Sequence, residues 1–230
     1  HWGDHYHTFL MGRPIPGPDG TGRFCPLGRE TGIEKVVWRD GWLWLEEGGQ
    51  VPRIEVPAPV DVAPAPAEAV VRDFAEGRLP SEFQWLRSPE PDRLFRMEPG
   101  ALVLIGRESL GSWFEQALVA RRQEHHVYTA ETRVDMAPAT YQQAAGLTTY
   151  YNRHKLHALM LSHEPGIGRA LVLYSCPGDW PDGRLQRVGA PVPVGEGPVE
   201  LQVRVDHAAQ RFAWRQGGDW QEIGPELDAS

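Results

Sequence analysis

Glycine and proline interrupt this sequence so often that a fold built from long helices is excluded. The chain has 25 glycines and 21 prolines among 230 residues, and both residue types form turns and break helices. The short segments between the turns often alternate apolar and polar residues. In one of them, Leu201, Val203 and Val205 fall on the same face of a strand. This pattern predicts an all-β protein, with short strands arranged as a β-sandwich or a jelly roll.

The predicted strands are separated by glycine, proline and other turn residues. Asp40-Gly41 supplies the positive φ angles of a tight hairpin.

The first predicted strand has no predicted strand before it with which to pair, and an isolated strand is not stable. We therefore expect this sequence to be an internal piece of a longer protein. The segment 138–145 would also suit a helical turn. The predicted strands are 6–11, 34–38, 42–45, 102–105, 117–121, 128–135, 144–151, 155–162, 170–175, 199–205, 210–215 and 219–223.

The composition along the chain predicts two packed bodies joined by a linker. Residues 57–69 contain four prolines and almost no bulky side chains, which favours an extended, semi-rigid connection. The alternative is a surface loop within one domain. We therefore predict a first body at 1–56, a linker at 57–69 and a β-sandwich at 70–230.

Charge and cysteine content exclude several classes of protein. The net charge is −8, which does not indicate a surface for nucleic acid. No apolar run approaches the 18 residues of a membrane-spanning helix. Cys25 and Cys176 have neither a disulfide-framework nor a zinc-finger spacing. Two distant cysteines suit a reducing compartment, so a cytoplasmic location is expected.

The histidines do not form a recognisable metal motif. His5 and His7 would share one face of a strand, but no further ligand follows at a fixed spacing. His154 and His157 would point to opposite faces, which favours packing over chelation. The sequence also contains no HExxH, CxxC or GxSxG pattern. We therefore predict no metal ligand and no catalytic residue in this chain.

Nine tryptophans leave two interpretations open. Indole rings stack on the apolar faces of sugars, so the content fits a carbohydrate-handling protein. Trp85, Trp113 and Trp180 would equally serve as ordinary packing residues of a sandwich.

The segment around Arg29 is the strongest candidate for ligand binding. Gly28 permits close approach of the backbone, and the Arg29 guanidinium can donate several hydrogen bonds to hydroxyls or a carboxylate. Glu30 would hold that guanidinium in place by an ion pair. The alternative is a purely structural Arg–Glu pair.

Seven motifs occur in a fixed order along the chain. They lie at 11–15, 25–31 and 36–42, and then at 83–87, 118–123, 145–152 and 171–176. This ordered set resembles the β-xylosidase group of glycoside hydrolase family 43. The first three motifs look like the end of that group's catalytic domain, and the other four resemble its C-terminal concanavalin A-like sandwich.

The resemblance implies a five-bladed β-propeller followed by the sandwich, with 1–56 as the C-terminal part of the propeller. It implies an inverting, exo-acting enzyme that releases xylose from the non-reducing end of xylooligosaccharides, often with α-L-arabinofuranosidase side activity. Its Asp base, Glu acid and second Asp match no residue of this chain. The family's sugar-contacting arginine carries over to Arg29.

Further expectations follow from the same resemblance. No cofactor is assigned to this chain, and the family's Ca²⁺ would lie in the remainder of the propeller. The partners that it implies are the xylooligosaccharide and that remainder. A separate alternative is a non-catalytic scaffold whose sandwich mediates a homo-oligomer. The composition indicates neither nucleic acid nor a membrane as a partner. The family's last sandwich strands are missing, so 70–230 is expected to be incomplete at its C-terminus. The alternative function is a non-catalytic carbohydrate-binding or structural module.

Overall fold

Almost all of the regular structure in this chain is β-strand. The computed structural model describes residues 4–61, 63, 69–178 and 183–230. Within them, the only helix is a single 3₁₀ turn at Pro91–Arg93, and no helix is long and apolar enough to cross a membrane. The chain divides into two compact units, one of His1–Pro14 and Leu27–Arg72, the other of Ile15–Pro26 and Asp73–Ser230.

The first unit contains one antiparallel sheet of three strands. Strands β1 (His5–Met11), β2 (Glu30–Arg39) and β3 (Trp42–Leu45) lie in that order. Asp40 and Gly41 have φ angles of 53° and 79°, which confirms the predicted tight hairpin between β2 and β3. β1, for which the sequence offers no preceding partner, pairs along its whole length with β2, which follows it.

The second unit contains the remaining strands. They are β4 (Phe83–Trp85), β5 (Phe95–Glu98), β6 (Ala101–Leu104), β7 (Val119–Arg121), β8 (Val127–Val134), β9 (Ala145–Asn152), β10 (Lys155–Glu164), β11 (Gly168–Pro177), β12 (Gln186–Arg187), β13 (Val192–Pro193), β14 (Val199–Asp206), β15 (Ala209–Arg215) and β16 (Gln221–Asp228).

Two of the sheets in the second unit face each other as a sandwich. One has the order β12–β11–β10–β9 with β13 also on β11, and the other has the order β16–β15–β14–β8. Apolar side chains from both sheets form one buried core, and they include the predicted inward-facing residues of β14. These findings confirm the all-β sandwich. The buried core comprises Leu159, Leu161, Leu171, Leu173, Val199, Leu201, Val203, Val205, Phe212 and Ile223.

The sheet containing β10 is buried on both faces. Leu159 and Leu161 point into the core between the sheets, whereas Leu156, Ala158 and Met160 form a second cluster on the outer face. A strand covered on both sides needs apolar residues at consecutive positions. This explains why β10 has a nearly continuous apolar sequence where β14 alternates.

The sequence located most strands but missed four of the seven short ones. The missed strands β4, β5, β12 and β13 contain four residues or fewer, too few for a clear alternation. The helical turn considered at 138–145 does not form; bends and a turn precede β9. The domain boundaries at 56 and 70 stay predictions, and the linker at 57–69 lies partly outside the described residues.

A buried polar network ties β10 to the end of β16. The His157 Nε2 atom lies 2.8 Å from the carbonyl oxygen of Asp228, so this nitrogen donates. The Gln210 amide donates to the same carbonyl at 2.9 Å and accepts a hydrogen bond from Thr149 at 2.8 Å. The Lys155 ammonium lies 3.4 Å from the Asp228 carboxylate. Burial lowers the pKa of His157 below its ordinary value of 6.5, despite the opposing effect of Asp228.

We expect the second unit to lose stability as the pH falls below about 6.5. Unfolding frees His157 to bind a proton that the folded chain disfavours, so acid stabilises the unfolded state. The variant His157→Gln, which keeps a donor for Asp228, should show a smaller decrease in urea midpoint between pH 8 and pH 5. His125→Gln, at an exposed position, is the matched control. Equal decreases in wild type and His157→Gln would contradict this prediction.

Candidate substrate-binding site

Arg29 lies between a tight turn and the first residue of β2. The turn includes Pro26 and Leu27, and Leu27 is buried. Gly28 has a φ angle of 70°, in the left-handed region that side chains disfavour. The turn thus fixes the backbone while the Arg29 side chain is exposed. An exposed guanidinium on a fixed backbone can recognise hydroxyl or carboxylate oxygens.

Glu30 is bound by Arg13, a partner that the sequence did not indicate, and the predicted Arg29–Glu30 pair stays a prediction. Arg13 Nε and Nη2 lie 2.9 and 2.8 Å from the two carboxylate oxygens of Glu30. The pairing of Met11 with Glu30 across β1 and β2 brings Arg13 to this position. Local sequence could not reveal this contact because it depends on the register of two strands. Nothing in the structure tests the substrate-binding role of Arg29, which stays a prediction.

The first unit also contains a pocket that the sequence did not indicate. It has a volume of about 260 Å³ and combines an indole ring, an imidazole and an amide with aliphatic walls. Arg29 does not line it. The lining residues are His7, Val36, Leu43, Trp44, Leu45, Gly49, Gln50 and Pro52.

Within this sheet, on β2, Glu34 is a buried carboxylate, only 1% exposed. Its oxygens accept hydrogen bonds from Arg53 Nη2 at 2.6 Å and from the Arg53 backbone nitrogen at 2.8 Å. These hydrogen bonds lower the pKa of Glu34 to about 2. A general acid for glycoside hydrolysis needs a raised pKa. Glu34 therefore has a structural role and is unsuited to act as an acid.

The described residues do not fit a calcium site. His5 and His7 are exposed on β1, an edge strand. In the parts of the chain that the structure describes, no three histidine, cysteine, aspartate or glutamate side chains are grouped to hold a metal ion. No step of the chemistry is assigned to a metal here.

The tryptophans considered as sugar-binding or packing residues differ in their surroundings. The Trp85 ring packs against Phe95, with ring centroids 5.6 Å apart. Trp113 is 53% exposed and lies in the segment between β6 and β7. Trp180 lies outside the described residues.

The two facing antiparallel sheets define the second unit as a β-sandwich. The family described as "Beta xylosidase C-terminal Concanavalin A-like domain" matches residues 71–230. The chain therefore belongs to this domain family of glycoside hydrolase family 43.

Several known proteins resemble the chain over nearly its whole length. "Xylosidase/arabinosidase 43B" of Humicola insolens is 42% identical over 99% of the chain and 42% of its own length. The "Putative beta-xylosidase" of Escherichia coli K12 is 37% identical over all of the chain and 45% of its own length. The crystal structure of a xylan beta-1,4-xylosidase from Bacillus halodurans superposes with a TM-score of 0.85 at 32% identity, covering 99% of the chain and 43% of that protein. The chain thus spans less than half the length of these relatives.

Proposed function

We propose that this chain is the C-terminal part of an inverting, exo-acting glycoside hydrolase that releases xylose from xylooligosaccharides. The observation that carries the proposal is the similarity, over 99% of the chain, to a protein named xylosidase/arabinosidase. The same name supports a side activity on α-L-arabinofuranosides. Inversion requires a water molecule between the catalytic base and the sugar, with the carboxyl groups about 6.5–9.5 Å apart.

In this proposal, the rest of the protein supplies the catalytic carboxylates and Arg29 binds the terminal sugar. Its exposed guanidinium can donate to several sugar hydroxyls, and the positive φ of Gly28 fixes the turn before it. A fixed sugar would present its anomeric carbon to the attacking water. The sandwich would brace the pocket so that only a chain end enters.

The remainder of a β-propeller is the proposed partner of the first unit. The β2–β3 hairpin exposes large apolar side chains, among them Trp42, which is 73% exposed. Contiguous exposed apolar surface is typical of interfaces. Trp38, Leu43 and Trp44 are exposed on the same hairpin, so further propeller strands would remove this surface from water.

An assay of the protein extended upstream tests the function. We expect it to release xylose from xylobiose and, more slowly, arabinose from an aryl α-L-arabinofuranoside, whereas the 230-residue chain alone releases neither. Xylobiose left intact by the extended protein would overturn the proposal. Binding of xylooligosaccharides without hydrolysis would instead favour the non-catalytic carbohydrate-binding module.

Two subsidiary proposals concern the cell and the assembly. We propose a cytoplasmic location because Cys25 and Cys176 are both free thiols, and fractionation of the native cells tests it. We also propose that the sandwich mediates a homo-oligomer, which light scattering on the extended protein with and without residues 70–230 tests.

A further inference from the structure

Two arginines converge on one tryptophan at the surface of the second unit. Arg87 Nη1 donates to the carbonyl oxygen of Trp113 at 3.3 Å. The Arg153 Cζ atom lies 3.9 Å from the centre of the Trp113 ring. Arg87 follows β4, Trp113 lies between β6 and β7, and Arg153 lies in the turn between β9 and β10. We call these three residues the two-arginine patch.

Neither arginine of the patch forms an ion pair with a carboxylate among the described residues. Other arginines of the same unit are paired: Arg93 with Glu115 at 2.8 Å and Arg187 with Glu164 at 2.6 Å. The chain carries a net charge of −8, so carboxylates are abundant. The charges of Arg87 and Arg153 are therefore not balanced by a carboxylate of the described residues, and a bound anion would balance them.

Two polar atoms, one on Arg153 of the patch and one on Tyr150 of β9, have no hydrogen-bond partner among the described residues. They are Arg153 Nε and Tyr150 Oη, and both are buried, whereas Arg87 is exposed and open to a ligand. Burial raises the pKa of Tyr150, and the charges of Arg87 and Arg153 oppose this increase. Arg87 has a φ angle of +61°, a conformation that is disfavoured for residues with a Cβ and is often found at binding sites.

The surroundings of the patch favour an acidic sugar over a simple anion. Trp113 is more than half exposed, and the neighbouring Phe114 is 72% exposed. Aromatic rings bind the apolar C–H faces of sugars, and guanidinium groups match the two oxygens of a carboxylate. Inorganic phosphate would gain nothing from the aromatic rings.

We propose that the two-arginine patch binds the carboxylate of a uronic acid unit in an acidic oligosaccharide, with Trp113 and Phe114 contacting the sugar. Arg29 belongs to the first unit and the patch to the second, and the inference does not depend on the proposed hydrolytic function. Binding measured without hydrolysis therefore distinguishes the failure of one proposal from the failure of the other.

Titration calorimetry on the 230-residue chain tests the inference with three probes. They are a xylooligosaccharide carrying one glucuronic acid, the neutral xylooligosaccharide of the same length, and inorganic phosphate. We expect the acidic oligosaccharide to bind at least about tenfold more tightly than either other probe. Equal binding of the acidic and neutral sugars would overturn the proposal. Phosphate binding as tight as that of the acidic sugar would also overturn it, because sugar recognition would then be absent.

Substitutions assign the binding to the patch. Arg87→Gln and Arg153→Gln should each weaken binding of the acidic oligosaccharide by about tenfold or more, and Arg87→Lys should weaken it less. Arg96→Gln is the matched control, since Arg96 is an exposed arginine of the same unit paired with Glu98. Unfolding midpoints verify that each variant is folded. Undiminished binding in both glutamine variants would overturn the proposal. A wild type that binds none of the three probes would also overturn it, and would point instead to a protein partner whose carboxylates bind the patch.

Discussion

Replacing Gly146 with alanine should destabilise the β-sandwich by about 3–5 kcal/mol, the largest stability effect that we expect from a single methyl group. A Cβ at this position would lie 1.9 Å from the backbone oxygen of Leu159 and 2.8 Å from the Cα of Met160. These are backbone atoms of the neighbouring strand β10, so no side-chain rotation can relieve the overlap. The strands β9 and β10 would have to separate and lose hydrogen bonds.

Chemical denaturation of the variant and of wild type checks this expectation. Gly106→Ala is the matched control, because a Cβ at Gly106 meets no atom within 4 Å and Gly106 has no positive φ. We expect the control to keep the wild-type midpoint within a small margin. A Gly146→Ala variant as stable as the control would show that the two strands tolerate the methyl group.

Replacing Arg29 with alanine should lower kcat/KM of the upstream-extended enzyme on xylobiose by about 30- to 1,000-fold, or about 2–4 kcal/mol. The reason is the loss of charge-assisted hydrogen bonds to the terminal sugar, together with the loss of its fixed orientation. Initial rates over a range of xylobiose concentrations give the effect on kcat and on KM separately.

Two further variants sharpen the Arg29 experiment. Arg23→Ala removes another exposed arginine from a nearby position in the sequence and should leave kcat/KM unchanged. Arg29→Lys retains the charge but loses the planar guanidinium, so its activity should fall between those of wild type and Arg29→Ala. Wild-type rates in Arg29→Ala would show that the residue does not bind the substrate.

Two glutamates show how far local sequence can assign roles. The sequence places Glu30 beside Arg29, yet its carboxylate is bound by Arg13 across the β1–β2 pair. Glu34 was identified only as the first residue of a predicted strand, and the structure shows it buried against Arg53. Both partners are distant in sequence, and only strand register and chain reversal bring them near.

The two-arginine patch shows the same limitation for a candidate site. From the sequence, Trp113 was one of several tryptophans that suit either sugar binding or ordinary packing. Nothing in the sequence singled out Arg87 or Arg153, since they come from turns at the ends of other strands. Convergence of separate turns is a property of the folded sheet and leaves no local pattern.

The sequence by itself determined the all-β class, the Asp40-Gly41 hairpin and the inward face of β14, because turn geometry and alternation act between neighbouring residues. It also determined the family, through motifs in a fixed order. Only the tertiary structure decided that β10 is covered on both faces, that Gly146 must lack a side chain, and which carboxylate each arginine binds. These features depend on the distance between strands that are remote in sequence, and that distance is set by how the sheets pack.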